Sequence, residues 1–564
     1  MKELKGLGLG LTLGLCVTLT AAFAGGGRQT SGTVAADGLT TLRFWGRNAE
    51  YVSSQGQEHV TLQDQYEGKV PSRLWDTFVK KLADMGIKPE LTLVMDDQYQ
   101  TAFQTLRASG QFNNYDLVYG HGLGLQTLYS LVDQGRIVAL NQAVEQYSDG
   151  TAKTFFGSGN GAKLKDLFTM TDGNFYWIPG MYQLTYKGTP MGGITLGVIR
   201  KDWLDTLGLP MPKTADELYN AFYQFQEKDI NRNGIKDEVA SVDIASFNNG
   251  LAQLFGIATD HEGEGLHYLA NVMGTLQCAW YQSGIKDYFA FMNRLYKAGL
   301  LRTGGEPTDQ AENKIGYQNT WFPNNDELII NVPAGDKGAY YVPLLFSAVP
   351  GTQPPIWNVG GLSIGTDKVM MIPSASKKID TAVKFIDWDV TNDFFTLMEP
   401  GIEGYTFNYD ENGIPVRFQN SNQIGVDGLR TVSFWAEALV PWVQIRDSYG
   451  GVVSTVNQGK EVGYPGGWTE KLDFMNNLVA NSPYPYSWYT GGVLAQATLQ
   501  EQDRLTAILP DLNTYISELC SALVMGEKGL DNASWNGYID NLKRLGLDEI
   551  ISIWQTRINR VSGK

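Results

Sequence analysis

The chain has 564 residues and a formal net charge of −16, with 44 Lys and Arg against 60 Asp and Glu. Its hydrophobic content of 43% is enough for large cores, which excludes a disordered chain and a small disulfide-stapled fold. An acidic chain without a basic block is also a poor candidate for binding nucleic acid or an anionic membrane surface. The aromatic content is high, with 14 Trp, 28 Tyr and 24 Phe, so large cores or a binding surface must use these rings.

The N-terminus predicts an export signal. Lys2 and Lys5 precede an apolar, uncharged stretch over residues 7–24, and this stretch ends on Ala-Phe-Ala, which fits the small-x-small rule for cleavage. We expect residues 1–24 to be a signal peptide and residues 25–38, rich in Gly, Ser, Thr and Ala, to be a flexible tether. No later segment reaches the length of a membrane span. The sequence therefore predicts an extracytoplasmic protein, either periplasmic or secreted.

The three cysteines bear on anchoring and on crosslinking. Cys16 follows Leu15 inside the apolar stretch, which is too early and after too large a residue for a lipoprotein cleavage site, so no lipid anchor is expected. Cys278 and Cys520 remain after cleavage. Export permits a disulfide between them, and two buried free thiols fit the sequence equally well, because spacing does not report distance.

The first part of the chain alternates between strand and helix patterns. Strands are predicted at 41–45, 90–95 and 115–119, helices at 72–85 and 98–109, and a helix, turn and loop over 129–140. This alternation indicates an α/β lobe on a mostly parallel sheet. The rest of the chain is richer in helix patterns, at 201–207, 214–228, 276–298, 379–390, 501–525 and 534–560, with a strand at 369–372.

Residues 229–238, D-I-N-R-N-G-I-K-D-E, are the strongest local motif. Oxygen-bearing side chains recur at positions 1, 3 and 5, Gly234 at position 6 permits a sharp turn, and position 7 can offer its carbonyl. This is the start of an EF-hand calcium loop, except that position 12 is Ala240 and the acids stand at positions 9 and 10. A polar Asx-type turn without metal uses the same residue types. We predict a structural Ca²⁺, with that turn as the alternative.

The residues before the loop carry a family resemblance. Residues 198–209 read V-I-R-K-D-W-L-D-T-L-G-L, and residues 212–218 read P-K-T-A-D-E-L. Together with the loop, this block resembles extracellular solute-binding protein family 1 of bacterial carbohydrate ABC importers, in the branch of alginate-oligosaccharide-binding and LipO-like proteins. The G-I-E-G run at 401–404 and the segment 531–548 extend the resemblance toward the C-terminus.

The resemblance implies an α/β, two-lobe periplasmic-binding-protein fold that closes by a hinge on a ligand cleft between the lobes. The N-terminal α/β lobe would take residues 39–185 with about 355–400, and a helix-rich C-terminal lobe would take about 186–354 with 401–564. It also implies six calcium contacts, which are Asp229, Asn231, Asn233, the carbonyl of Ile235, Asp237 and Glu238.

Sugars present apolar faces to aromatic rings and hydroxyls to polar side chains, so loop aromatics are the candidate ligand contacts. The candidates are Trp45, Arg47, Tyr176, Trp177, Tyr182, Trp321, Trp357, Glu403, Tyr405, Trp435 and Trp442. Core packing is the alternative for each ring. Trp203 and Trp535, in helical segments with Leu neighbours, are assigned to packing.

The predicted function is capture of an oligosaccharide by a monomeric, non-enzymatic protein, followed by delivery to an ABC permease in the membrane. A secreted glycoside hydrolase or lyase fits the same export, acidity and aromatic content, but no motif singles out the carboxylate pair that it needs. A binder of peptides or other polar solutes on the same fold and a surface adhesion or sensing module are the further alternatives.

Overall fold

The structure of the protein is a computed structural model that describes residues 38–52, 59–186, 189–191, 194–247, 250–259, 266–272, 274–302, 312–322, 341–349, 363–398, 401–409, 415–417, 426–427, 443–445, 453–454, 477 and 497–562. The predicted signal peptide, and the tether up to residue 37, lie outside these residues. Within them, no helix combines the length and the apolar character that crossing a membrane requires.

In chain order the strands are β1 (Thr40–Arg47), β2 (Glu50–Val52), β3 (His59–Thr61), β4 (Ile87–Val94), β5 (Leu117–His121), β6 (Ile178–Tyr186), β7 (Thr189–Met191), β8 (Ile194–Arg200), β9 (Val239–Ser241), β10 (Leu269–Val272), β11 (Thr275–Cys278), β12 (Leu301–Arg302), β13 (Ile315–Phe322), β14 (Tyr341–Pro343), β15 (Ser363–Met371), β16 (Phe407–Tyr409), β17 (Pro415–Arg417), β18 (Val443–Ile445) and β19 (Val453–Ser454).

The α-helices are α1 (Leu62–Tyr66), α2 (Arg73–Asp84), α3 (Asp96–Ala108), α4 (Leu125–Asp133), α5 (Leu140–Tyr147), α6 (Thr151–Gly157), α7 (Gly159–Phe168), α8 (Lys201–Leu207), α9 (Ala215–Glu227), α10 (Leu251–Leu254), α11 (Ile285–Lys297), α12 (Ile379–Asp389), α13 (Asn392–Met398), α14 (Leu499–Met525), α15 (Asn532–Arg544) and α16 (Leu547–Ser562).

Local sequence explains where several helices begin. Ser72 and Thr214 precede α2 and α9, and their hydroxyls accept from the backbone N–H three residues on. Thr498 forms a reciprocal capping box with Glu501 at the start of α14. Each such cap contributes about 1 kcal/mol, because it satisfies an N–H that has no partner within the helix.

The first sheet runs β18-β6-β15-β5-β1-β4, with β7 paired to β6. Strand β1 is parallel to both β4 and β5, whereas β15 is antiparallel to both β5 and β6. The strands β1, β4, β5, β6 and β18 run in one direction and β15 and β7 in the other. The sheet is therefore mixed but mostly parallel in direction, as the alternation of strands and helices predicts, and the reversed strand β15 enters it from the far part of the chain.

The second sheet runs β12-β9-β13-β8-β14 and is also mixed. Each sheet has its own hydrophobic core. The first core takes buried residues from 42–178 and 369–398, and the second takes them from 199–346 and 497–558. A hydrogen bond 2.8 Å long, from Tyr129 Oη to the Ala497 carbonyl, joins the first core to the second.

The sequence predicts residues 401–564 in the second lobe, and residues 497–558 do lie in the second core. Some described residues after 400 instead join the first lobe. Ile402 packs against the first core. Strand β18 pairs in parallel with β6, through Gln444 opposite Tyr182, and so belongs to the first sheet. Strand β6 has an edge free for this pairing, and an unpaired edge favours such an addition.

Two helix predictions need correction. Residues 276–298 do not form one helix, because Thr275–Cys278 pairs with Leu269–Val272 as a hairpin and the helix begins only at Ile285. Residues 534–560 form two helices, α15 and α16, separated at Gly546, whose φ is 102°. Residues 129–140 follow the prediction of a helix, a turn and a loop, since they cover the end of α4, a turn and the loop that leads into α5. Cys278 and Cys520 are both free and buried, which decides between the two alternatives for them.

Two buried aspartates on α12 differ sharply in their partners. Asp387 Oδ1 accepts from Ser148 Oγ at 2.6 Å and from the Ala152 N–H at 2.8 Å. Asp389 is 1% exposed, and neither of its carboxylate oxygens has a hydrogen-bond partner. Burial raises the pKa of Asp389 well above its ordinary value. Folding therefore disfavours the ionised form of Asp389, whereas the Asp387 carboxylate is used as a hydrogen-bond acceptor.

We expect Asp389→Asn to raise the melting temperature at pH 7 and to leave it nearly unchanged at pH 4. The unfolded-state pKa of an Asp is about 3.9 and lies below the raised folded-state pKa, so the stability cost is absent at low pH and grows as the pH rises. Asp387→Asn is the matched control and should destabilise at both pH values. Thermal melts at the two pH values test this, and an Asp389→Asn melt at pH 7 no higher than wild type would contradict it.

Candidate functional site

The described strand ends point to one edge of the first sheet as the candidate site. The carboxyl ends of β1, β4 and β5 lie together at this edge, because the three strands are parallel. Strand β15 begins beyond it, since Lys368 is already opposite His121 and Ser363 is opposite Tyr182. From β6 the chain continues through β7 into β8 of the second sheet. In open α/β sheets, ligands bind outside the carboxyl ends of the strands.

The ends of β1 and β5 and the start of α3 build a polar cluster at this edge. Arg47, the last residue of β1, donates from Nε and Nη2 to the two carboxylate oxygens of Asp96. His121 Nε2 lies 3.6 Å from Asp96 Oδ1, and Gln100 Nε2 donates to the His121 carbonyl at 2.6 Å. The side chains of Arg47, Asp96 and His121 are 17%, 42% and 25% exposed. The cluster therefore offers charged donors and acceptors to a solute while keeping a fixed geometry.

Two tyrosines support the histidine of this cluster from below. The Tyr119 ring is stacked on His121 with 6.3 Å between centroids, and the Tyr99 ring meets it edge-on at 5.9 Å. Tyr99 is fully buried and its hydroxyl donates to the Tyr119 carbonyl. The rings hold the imidazole at the boundary between the core and the edge.

One predicted aromatic contact, Tyr182, lies at this edge by strand register, because it is in β6 between Ser363 and Gln444 of its neighbours. Trp321 belongs to the second sheet, opposite Thr195 near the end of β13 and the start of β8. The sequence predicts both residues in loops, whereas both lie within strands.

Two predicted aromatics, Trp45 and Trp177, are buried, and for them the structure corrects the ligand assignment. They are 2% and 1% exposed and belong to the first core. Trp45 packs on Tyr99 and Tyr115. Tyr176 and Trp177 precede β6 at its amino end, where Ile178 pairs with Met370. Tyr176 is half-buried and its hydroxyl donates to Asp172 Oδ2 at 2.5 Å, so its ligand contact stays a prediction.

The remaining candidates divide between described and undescribed residues. Tyr405 is 4% exposed, and its hydroxyl donates to Asp427 Oδ1 at 2.9 Å beneath the Arg73 guanidinium, 4.6 Å from the ring centroid. Burial and the bond to Asp427 raise the pKa of Tyr405 to about 12. Glu403 is exposed in the same turn. Trp357, Trp435 and Trp442 lie outside the described residues.

The sequence prediction did not include Asp96, Gln100 or His121. A signal was present, because residues that directly follow the carboxyl ends of neighbouring parallel strands meet at one edge. Asp96 comes two residues after β4, and His121 ends β5. The pairing order that brings these strands to either side of β1 was not readable from the sequence.

Loop 229–238 folds as a compact turn around the Asp229 side chain. Its Oδ1 accepts from the Asn233 N–H at 3.1 Å and its Oδ2 from the Gly234 N–H at 2.9 Å. Asn231 and Asn233 each turn a side-chain oxygen toward the backbone N–H two residues on. Asp229, Arg232 and Gly234 have positive φ values of 46°, 59° and 84°, so the chain reverses sharply.

The oxygen donors of this loop fit a hard cation such as Ca²⁺. Glu238 is 1% exposed; its Oε1 accepts from the Asn231 N–H, and its Oε2 is buried without a partner. Burial, with the charges of Asp229 and Asp237, raises the pKa of Glu238. Among the described residues, no three or more His, Cys, Asp or Glu side chains already converge as a metal centre. The fit therefore depends on the Asn oxygens and the Ile235 carbonyl as well as on the carboxylates.

Comparison with known proteins places the chain in a family. Residues 72–393, more than half of the chain, match the family described as bacterial extracellular solute-binding protein. The chain belongs to this family. Its resemblance to extracellular solute-binding proteins, predicted from residues 198–238, is thereby confirmed.

Two characterised relatives extend the comparison. The fructooligosaccharide ABC transporter substrate-binding protein FusA of Streptococcus pneumoniae is 24% identical over 458 residues, which are 78% of this chain and 79% of FusA. The polygalacturonan/rhamnogalacturonan-binding protein YtcQ of Bacillus subtilis is 26% identical over 254 residues, which are 43% of this chain and 47% of YtcQ.

Solved structures of family members share the fold. FusA in complex with kestose has a TM-score of 0.67 at 20% identity, covering 93% of this chain and 100% of FusA. The alginate-binding protein AlgQ2 without calcium ion has a TM-score of 0.60 at 20% identity, covering 92% of this chain and 97% of AlgQ2. An EF-hand mutant of FusA is similar to the same degree. The predicted two-lobe α/β fold of a solute-binding protein is confirmed.

Proposed function

We propose that this solute-binding protein captures an oligosaccharide outside the cytoplasm and delivers it to an ABC permease, without cleaving it. The observation that carries the proposal is the polar cluster of Arg47, Asp96 and His121 at the edge where the chain passes between the two sheets. Two relatives that bind fructooligosaccharide and polygalacturonan support the choice of an oligosaccharide. We propose that the protein acts as a monomer.

Capture follows from the chemistry of the edge. The paired Arg47 and Asp96 present N–H donors and carboxylate oxygens, which are the partners that sugar hydroxyls require. Tyr182 in β6 and Trp321 near the end of β13 are the proposed stacking residues. A ligand that touches both lobes binds the closed arrangement better and shifts the population toward it. The permease would recognise that closed shape.

The proposed binding residues beyond this cluster are Tyr176 and Glu403, with Trp357, Trp435 and Trp442. Tyr405, in the same turn as Glu403, is buried and bonded to Asp427, so it is proposed to support that turn. The cluster itself is poorly suited to hydrolysis. A glycosidase needs two carboxyl groups that flank the scissile bond, whereas both oxygens of Asp96 are engaged by Arg47. This arrangement favours binding over the alternative of a secreted glycoside hydrolase or lyase.

We also propose that loop 229–238 binds one structural Ca²⁺ through Asp229, Asn231, Asn233, the Ile235 carbonyl, Asp237 and Glu238. The buried Oε2 of Glu238, which has no hydrogen-bond partner, supports this proposal. Two similar structures also support it, namely an EF-hand mutant of FusA and AlgQ2 without calcium ion. The ion would fix the connection between α9 and β9, because the loop joins these two elements directly.

We expect the mature protein to bind an oligosaccharide and to leave it intact. The test is a panel of inulin-type fructooligosaccharides, oligogalacturonides and alginate oligosaccharides, screened by calorimetry and followed by chromatography of the recovered sugar. Binding with full recovery supports the proposal. Turnover of a bound sugar, or binding confined to peptides, would overturn it.

Replacing Arg47 with Met should weaken binding of that oligosaccharide by about tenfold or more, because a charge-assisted hydrogen bond contributes roughly 1.5–3 kcal/mol. Arg504→Met is the matched control, since Arg504 also makes a two-pronged pair, with Glu549, but lies on the helical side of the second lobe. Calorimetry of both variants, with melting curves to verify folding, gives the answer. Equal affinities in the two variants would exclude Arg47 from the site.

Removal of calcium should lower the melting temperature by several degrees and leave oligosaccharide binding measurable. A ligand that binds only the folded state stabilises by about 2.7 kcal/mol at one hundred times its Kd. Glu238→Ala should abolish the calcium-dependent shift. Melts with chelator and with added CaCl₂, together with elemental analysis, test this. No metal in the protein and no change in the melt would contradict the calcium site.

A further inference from the structure

Lys314 places a positive charge against the calcium loop from outside it. Its Nζ lies 2.9 Å from Asp237 Oδ2 and 2.5 Å from Glu312 Oε2, and its side chain is only 16% exposed. The other oxygen of Asp237 accepts from Asn233 Nδ2 at 3.1 Å, within the loop. The Asp237 carboxylate therefore has one oxygen bonded within the loop and the other paired with the Lys314 ammonium.

The backbone fixes this lysine in place. The Val239 N–H, directly after the loop, donates to the Lys314 carbonyl at 2.9 Å. The neighbouring Asn313 has a φ of 57°, and its Oδ1 accepts from Arg200 Nη1 at 2.5 Å. Arg200 is itself 0% exposed and paired with Asp202. The ammonium is consequently held beside Asp237 by a rigid support.

The Lys314–Asp237 pair changes the net charge of the proposed calcium ligands. Asp229, Asp237 and Glu238 place three carboxylates within ten residues, and like charges this close together repel one another. Lys236 lies in the loop, but it pairs outward with Glu227 at 2.6 Å. Among the described residues, Lys314 is thus the cation that pairs with Asp237, a proposed calcium ligand. Calcium affinity in such loops follows the net charge of the ligand set.

We propose that Lys314 is a resident cation that lowers the calcium affinity of loop 229–238 and stabilises the loop when calcium is absent. The proposal rests on the calcium site proposed above. The ammonium and Ca²⁺ repel each other across Asp237, so each weakens the hold of the other on the loop. The protein would therefore remain folded at low calcium and would respond only to the high calcium concentrations found outside cells.

The test compares wild type with Lys314→Met, which keeps the length of the side chain and removes its charge. We expect Lys314→Met to bind Ca²⁺ roughly tenfold more tightly in calorimetry and to melt at a lower temperature than wild type in chelator. Lys236→Met is the control for nearby charge and should change the affinity much less. Lys314→Gln, which is also neutral but can donate a hydrogen bond, should match Lys314→Met in affinity.

The outcomes separate this inference from the calcium site itself. If wild type and variants all fail to bind Ca²⁺, the calcium site is wrong and this inference falls with it. If all bind with equal affinity, the calcium site stands and the role of Lys314 is wrong. Weaker binding by both Lys314 variants would mean that the ammonium orients Asp237 for the metal, and would equally overturn the proposal.

Discussion

The position of β15 in the middle of the first sheet is the constraint on which the rest of the structure depends. It lies between β5 and β6, yet it comes from a part of the chain that has already built the second sheet. The first lobe is therefore complete only when the chain has returned from the second. Because β6 leaves the first sheet at the edge where β15 begins, the passages between the lobes and the carboxyl ends of the parallel strands share one edge. This shared edge is where the solute is proposed to bind.

The second sheet links this edge to the calcium loop. Strand β13 begins beside the loop, where Ile315 pairs with Val239, and ends with Trp321 and Phe322 opposite the first residues of β8. Lys314 and Trp321 thus lie at the two ends of one strand. The loop lies at the end of β13 that is opposite to Trp321, so the Ca²⁺ proposed there would have a structural role. It would fix the start of β13, whose far end is proposed to contact ligand.

Short-range features could be predicted from the sequence, whereas those that depend on pairing could not. Helix α2 follows from Ser72 and from Leu74, Phe78 and Leu82 at helical spacing. The reversal of loop 229–238 follows from its Asp, Asn and Gly positions. The sequence predicts Trp45 and Trp177 as ligand contacts although both are buried, because neighbours in sequence do not reveal which side chains meet the core. The Arg47–Asp96 pair spans 49 residues and depends on strand order, which the sequence does not display.

The central claim is that ligand binds at the shared edge between the two sheets. A crystal structure of the protein with the oligosaccharide selected by the binding panel tests it most directly. The account predicts sugar hydroxyls within hydrogen-bonding distance of Arg47 or Asp96, with the sugar also in contact with residues at the end of β13. A sugar bound on the outer face of one lobe, with no contact to the carboxyl ends of β1, β4 and β5, would contradict it.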